Sequence, residues 1–234
     1  MNSPAAYANP YTVADAEPSA RVAFIRRTYL HVAGAIGAFA LFEAFLLSQP
    51  WAGNLASMMQ GKAWLVVLGL FMVVSWLAEK WSHSDTSRGV QYLGLGLYTV
   101  AMGVLTMPLL MMAQAAVGDN SMILKAGMVT MLLFAGLTAA AFLTGKDFSF
   151  LRSFLIVASF IALGLIIAGT LFGFNLGLWF SAAMVLIASI SILYNTSNII
   201  HHYRTDQHVG ASLALFSSVA LLFWYVLRLF LSRD

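Results

Sequence analysis

Residues 150–173 read FLRSFLIVASFIALGLIIAGTLFG, with a single charged side chain, Arg152, near the leading edge. A helix of about 20 such residues crosses the hydrocarbon layer of a bilayer, and little in this run would keep it in water. Further stretches of the same character lie near 28–48, 63–81, 88–114, 122–144, 178–199 and 209–231. Together they predict an all-α membrane protein, a seven-transmembrane-helix bundle. Composition points the same way. Of 234 residues, 61% are AVILMFWYC and 9% are charged, against roughly a quarter charged in soluble domains. The mean hydropathy is +0.85. Such a chain has no room for a sizeable soluble catalytic domain.

The boundaries mark themselves. Gln49-Pro50-Trp51 closes the first span, since proline breaks the helical ladder and tryptophan favours the interface. Gly118-Asp119-Asn120-Ser121 opens the fourth with oxygens suited to unpaired N–H groups, and Asp147 can do the same for the fifth. Pro108 lies inside the long third span and predicts a kink or tilt there. Gly34 with Ala38, and Gly169 with Gly173, are spaced for close helix packing.

The net charge of +3 comes from Lys and Arg flanking the apolar runs, which indicates a membrane rather than nucleic acid as partner. Without Cys there is no disulfide, thiolate chemistry or Cys-ligated metal. Arg26-Arg27-Thr28-Tyr29-Leu30 faintly matches a twin-arginine export signal, but a positive flank on a retained first helix explains it. A cytoplasmic N-terminus puts Arg21, Arg26, Arg27, Lys80, Arg88, Lys146, Arg152 and Arg204 inside, against Lys62, Lys125, Arg228 and Arg233 outside. The excess predicts N-in and, with seven spans, C-out. Residues 1–20 have no apolar core of a cleavable signal and no regular periodicity, so they read as a disordered cytoplasmic tail ahead of a membrane domain at 21–234.

Polar side chains are costly in hydrocarbon, so the few inside spans are informative. Ser191, Asn195, Asn198 and His202 recur at steps of four, three and four along the sixth span and share a face. Ser217 and Ser218 lie mid-way along the seventh. These groups either line a narrow wet path or hydrogen-bond the helices to one another. Glu43 is the only carboxylate well inside a span. It either carries a proton, or reaches the outer headgroups or pairs locally. Glu79 and Lys80 can snorkel. His201, His202 and His208, with Asp206, form a candidate pH-sensing loop, although their spacing fits no metal-ligand pattern. Catalytic signatures are missing: there is no His-Glu-x-x-His pair, no Gly-x-Ser-x-Gly elbow, no intramembrane aspartate pair and no seventh-span lysine for a Schiff base. The chain reads as a non-enzyme without cofactor.

Three ordered motifs carry a resemblance. Phe24-Ile25-Arg26-Arg27-Thr28-Tyr29, Thr144-Gly145-Lys146-Asp147-Phe148-Ser149-Phe150-Leu151 and Ile192-Leu193-Tyr194-Asn195-Thr196-Ser197-Asn198-Ile199-Ile200-His201 resemble the Bax inhibitor-1 family. The last of them, with the Ser-Arg-Asp ending, resembles its bacterial YccA-like branch. The similarity runs from about residue 21 to the C-terminus. It implies seven membrane helices and a role in membrane stress or quality control. YccA-like relatives bind and restrain a membrane AAA protease (FtsH-like). Leak-competent relatives have a pH-sensing aspartate pair, one after the tyrosine of span six and one in span seven. The matching positions here are Asn195 and Ser218, which do not ionise, so the pH-gated leak does not carry over. The resemblance therefore implies a multi-pass protein of the bacterial inner membrane that modulates a protease by binding. The alternative is a calcium or proton leak using Glu43 and the polar face of span six.

Overall fold

The computed structural model describes residues 12–83 and 87–232. Among these, the chain forms α1 (Pro18–Leu47), α2 (Ala52–Met58), α3 (Ala63–Ser82), α4 (Arg88–Val117), α5 (Ser121–Thr144), α6 (Leu151–Phe172), α7 (Gly177–His201) and α8 (His208–Leu231). Seven of them are long and apolar enough to cross a membrane. The seven expected spans correspond to these. The short α2, between the first two spans, was not expected: it follows Pro50 and is too brief to show an apolar period.

The first helix starts ten residues before the apolar run at Thr28 suggests. Pro18 occupies its first turn, where a missing N–H costs nothing and the fixed φ is already helical. Ahead of it, Thr12 forms an isolated antiparallel bridge with Arg204. The Val13 N–H donates to the Tyr203 carbonyl at 2.9 Å, and the Val13 side chain is fully buried in the main core. Thus residues 12–20, expected in a tail at 1–20, belong to the fold. Residues 1–11 lie outside the described residues.

The turn chemistry is largely as expected. Gly118 ends α4 at φ 84°, its N–H returning to the Gln114 carbonyl, in the left-handed conformation that glycine adopts without a steric penalty. Asp119 Oδ1 accepts from the Ser121 N–H at 2.7 Å, and Asn120 Oδ1 from Gln114 Nε2 at 2.7 Å. Asp147 is different: it accepts from the Ser149 N–H at 2.8 Å and closes a turn one step before Phe150 caps α6. Meanwhile α4 continues through Pro108.

The core is organised around α8, which packs against α1, α3, α4, α5 and α7. Val209, Leu215, Leu222 and Leu227 on it are fully buried. Close approach depends on glycines other than the paired ones noted above. A Cβ on Gly94 would lie 2.5 Å from the Ala78 carbonyl oxygen and 2.7 Å from the Ser82 nitrogen, so α3 and α4 touch backbone to backbone. Gly34 faces open space and lines a groove with Ala38, and Gly169 meets its own following loop at the Phe174 carbonyl. Neither expected small-residue pair therefore makes a tight helix crossing. Large exposed apolar side chains such as Leu132, Leu143, Phe160, Phe172 and Trp179 cover the outer surface, as lipid contact requires.

Candidate functional site

A polar seam joins α7 to α8. Asn195 Nδ2 donates to Ser218 Oγ at 2.8 Å and to the Ala214 carbonyl at 3.1 Å. The Ser191 and Ser218 hydroxyls lie 2.9 Å apart, and Ser218 is also 3.2 Å from the Ala214 carbonyl. Helical spacing puts Ser191 one turn from Asn195, so both reach the same neighbour. Ser217 turns back and donates to the Ala214 carbonyl of its own helix. Every group in the seam is neutral and each polar atom named has a partner. Hydrogen bonds of this kind are worth about 0.6 kcal/mol each on average in membrane bundles, so the seam fixes register more than it adds stability.

Asn198 is not part of that seam. It lines a separate cavity of about 370 Å³ with Ser149, Arg152, Tyr194, His202, Tyr203 and Gln207. His202 Nε2 approaches Asp147 Oδ2 at 3.0 Å, joining the end of α7 to the α5–α6 loop. The Ser149 N–H, followed by the His202 imidazole, holds the Asp147 carboxyl at about 2, well below the usual carboxylate range. Ser197 strengthens the junction: its Oγ accepts from the Phe148 N–H at 2.8 Å. The sequence indicated neither tie, because Ser197 and Asp147 are fifty residues apart and meet only in the fold.

The three loop histidines separate. His201 Nδ1 donates to the Ser197 carbonyl at 3.0 Å, while His202 faces Asp147. His208, buried in the first turn of α8, sets its ring edge-on to His31 of α1 at 5.1 Å. Asp206 pairs with Arg204 through both carboxylate oxygens, at 3.1 and 2.7 Å, instead of with a histidine. His31 in turn donates from Nδ1 to the Arg27 carbonyl at 2.6 Å, so its Nε2 accepts from the Tyr92 hydroxyl at 3.0 Å in the neutral ring. Among the described residues no group of three His, Asp or Glu side chains could hold a metal ion.

Glu43 is 4% exposed, and neither carboxylate oxygen has a hydrogen-bond partner. It is therefore buried within the bundle and does not pair locally. It borders a cavity of about 770 Å³ whose other walls come from α4, α5 and α8. Next to it, Phe42 packs across Gly103, where an added Cβ would lie 2.5 Å from the ring.

A family model described as inhibitor of apoptosis-promoting Bax1 matches residues 21–234. An uncharacterized protein of Pseudomonas aeruginosa is 36% identical over 130 residues, 55% of this chain and 58% of that protein. One from Neisseria meningitidis serogroup A is 31% identical over 74% of this chain and 76% of its own length. Bax inhibitor 1 of Schizosaccharomyces pombe is 25% identical over 95% of this chain and 81% of its own.

Proposed function

Because this chain belongs to the Bax inhibitor-1 family, we propose that it acts in membrane quality control by binding another membrane protein, a membrane AAA protease of the FtsH type, without catalysis. The observation that carries this reading is the seam between α7 and α8. The positions matching the aspartate pair of leak-competent relatives hold Asn195 and Ser218, hydrogen-bonded in a network with no titratable member. Nothing in that seam changes charge with pH, which favours a binding role over a proton-gated pore. The bacterial relatives and the Lys/Arg excess favour a cytoplasmic N-terminus in the inner membrane. A reporter active only in the cytoplasm, fused after Asp234, is expected to stay silent, and strong activity there would reverse the orientation.

Residues 1–11 are the segment such a protease would grip. Fully extended they span at most about 36–40 Å at 3.3–3.6 Å per residue. Beyond them lie Val13 and the packed helices, whose extraction into water would expose large apolar surfaces. A grip that advances slowly keeps the protease occupied. Site-specific cross-linking from residues 2–11 in native membranes is expected to capture the protease. In pulse-chase, removing residues 2–11 is expected to lengthen the chain's lifetime severalfold only where the protease is present. Equal lifetimes for both chains, with and without the protease, would remove this segment from the mechanism.

A further inference from the structure

The cavity of about 370 Å³ lies between the start of α6, the end of α7 and the turn into α8. Every side chain that lines it is polar, and none is acidic. Three of them have hydrogen-bonding capacity that the fold leaves unused. Among the described residues, the exposed Arg152 guanidinium makes no ion pair, and neither it nor the Asn198 amide nor the Tyr194 hydroxyl makes a side-chain hydrogen bond. Arg204, in the turn after α7, is different, because both Asp206 oxygens answer it. Asp147 is not part of the lining, and its carboxylate is engaged by His202 and by the Ser149 N–H. The cavity thus combines one cation and several neutral donors with no acidic group among them.

Those donors suit a phosphate. The planar guanidinium fork matches phosphate geometry with two parallel N–H bonds, and amide and phenol donors can complete the shell. A zwitterionic head would also bring an ammonium group, for which the lining has no carboxylate. Position indicates the source. The cavity sits where α6 begins and α7 ends, which is the head-group level of a bilayer crossed by these helices. Ile156 follows Arg152 by one helical turn on the same side of α6 and is exposed. A phosphate held at Arg152 therefore has an apolar surface beside it for acyl chains. We propose that the cavity binds the phosphoglycerol head of an anionic phospholipid, with the phosphate on Arg152 and the head-group hydroxyls toward Asn198 and Tyr194. This binding does not depend on the α7–α8 seam or on any contact with a protease.

The test uses the full-length protein in phosphatidylcholine nanodiscs, with spin-labelled phosphatidylglycerol as probe and spin-labelled phosphatidylcholine as reference. The motionally restricted fraction of each label is the readout. Selective binding of phosphatidylglycerol is expected to saturate at one per chain. Its preference over phosphatidylcholine should be at least about fivefold, the factor that one basic side chain contributes at a membrane surface. Arg152→Gln should remove the preference without lowering the unfolding temperature, because the side chain has no partner in the fold to lose. Asn198→Asp, which adds a carboxylate to the lining, should remove it as well. Lys146→Gln is the control: Lys146 is exposed just before Asp147 but does not line the cavity, so the preference should persist. The proposal is overturned by the absence of a saturable preference in the native chain or by an unchanged preference in Arg152→Gln. Equal losses in Arg152→Gln and Lys146→Gln would also overturn it, by reducing the attraction to diffuse surface charge. So would displacement of the probe by an equal concentration of dissolved glycerol phosphate, which would assign the cavity to a free phosphate.

Discussion

Gly94→Val is expected to lose about 3 kcal/mol of stability or more, the upper end of what overpacking costs. A Cβ there would meet the Ala78 carbonyl oxygen at 2.5 Å and the Ser82 nitrogen at 2.7 Å, with Trp81 Cβ at 3.1 Å. Two of these three atoms are backbone, so no rotamer change relieves the contact, and α3 must move away from α4. The measurement is the unfolding midpoint of purified protein in detergent, together with the amount recovered from membranes. Gly96, two residues on, is the control. It is exposed and an added Cβ there meets nothing within 4 Å. Gly96→Ala should therefore be neutral or gain about 0.5–1 kcal/mol through helix propensity. If the two substitutions behaved alike, the backbone-to-backbone packing of α3 on α4 would be wrong.

The double substitution Asn195→Asp with Ser218→Asp is expected to introduce a pH-dependent calcium flux, and the native chain is expected to show none. In the native seam, Asn195 donates to both Ser218 and the Ala214 carbonyl. A carboxylate at position 195 cannot donate, and two carboxylates at the 2.8 Å now separating Asn195 from Ser218 cannot both be charged. They must share a proton, and losing it forces the helices apart. Proteoliposomes of the native protein should show no steep change in calcium flux between about pH 6 and 8, whereas the double variant should, as a coupled pair requires. A strongly pH-dependent flux through the native chain would move the sensor to Glu43 or the histidines.

The spans were legible because hydrocarbon imposes one rule, length and apolarity, that sequence displays directly. Their edges were less so. The start of α1 hides behind Arg21, Arg26 and Arg27, which interrupt the apolar run without interrupting the helix. Within the site, the periodicity of α7 correctly grouped Ser191 with Asn195, but it also grouped Asn198, which lines a different cavity. A shared helix face is broader than one interface, so spacing alone could not divide it. His208 follows His202 closely in sequence yet rests on His31, because the turn between them brings the start of α8 against α1. No local signal marked Val13 for burial or left Glu43 without a partner. Both outcomes depend on contacts more than a hundred residues distant in the chain or on the shape of a cavity.

Val13 also determines where a mechanical load enters the bundle. Tension applied through residues 1–11 arrives at the Val13–Tyr203 hydrogen bond before it can reach Pro18. Tyr203 stacks on His83 at 6.2 Å and lies against Phe24 at 6.5 Å, so the same clasp fastens α1, α3 and the turn between α7 and α8. A steady pull would have to peel this clasp first, and the first turn of α1 would follow it. The clasp is thus expected to give way first, and its rupture force, measurable with a tether on the N-terminus, is expected to set the threshold between holding the chain and unravelling it.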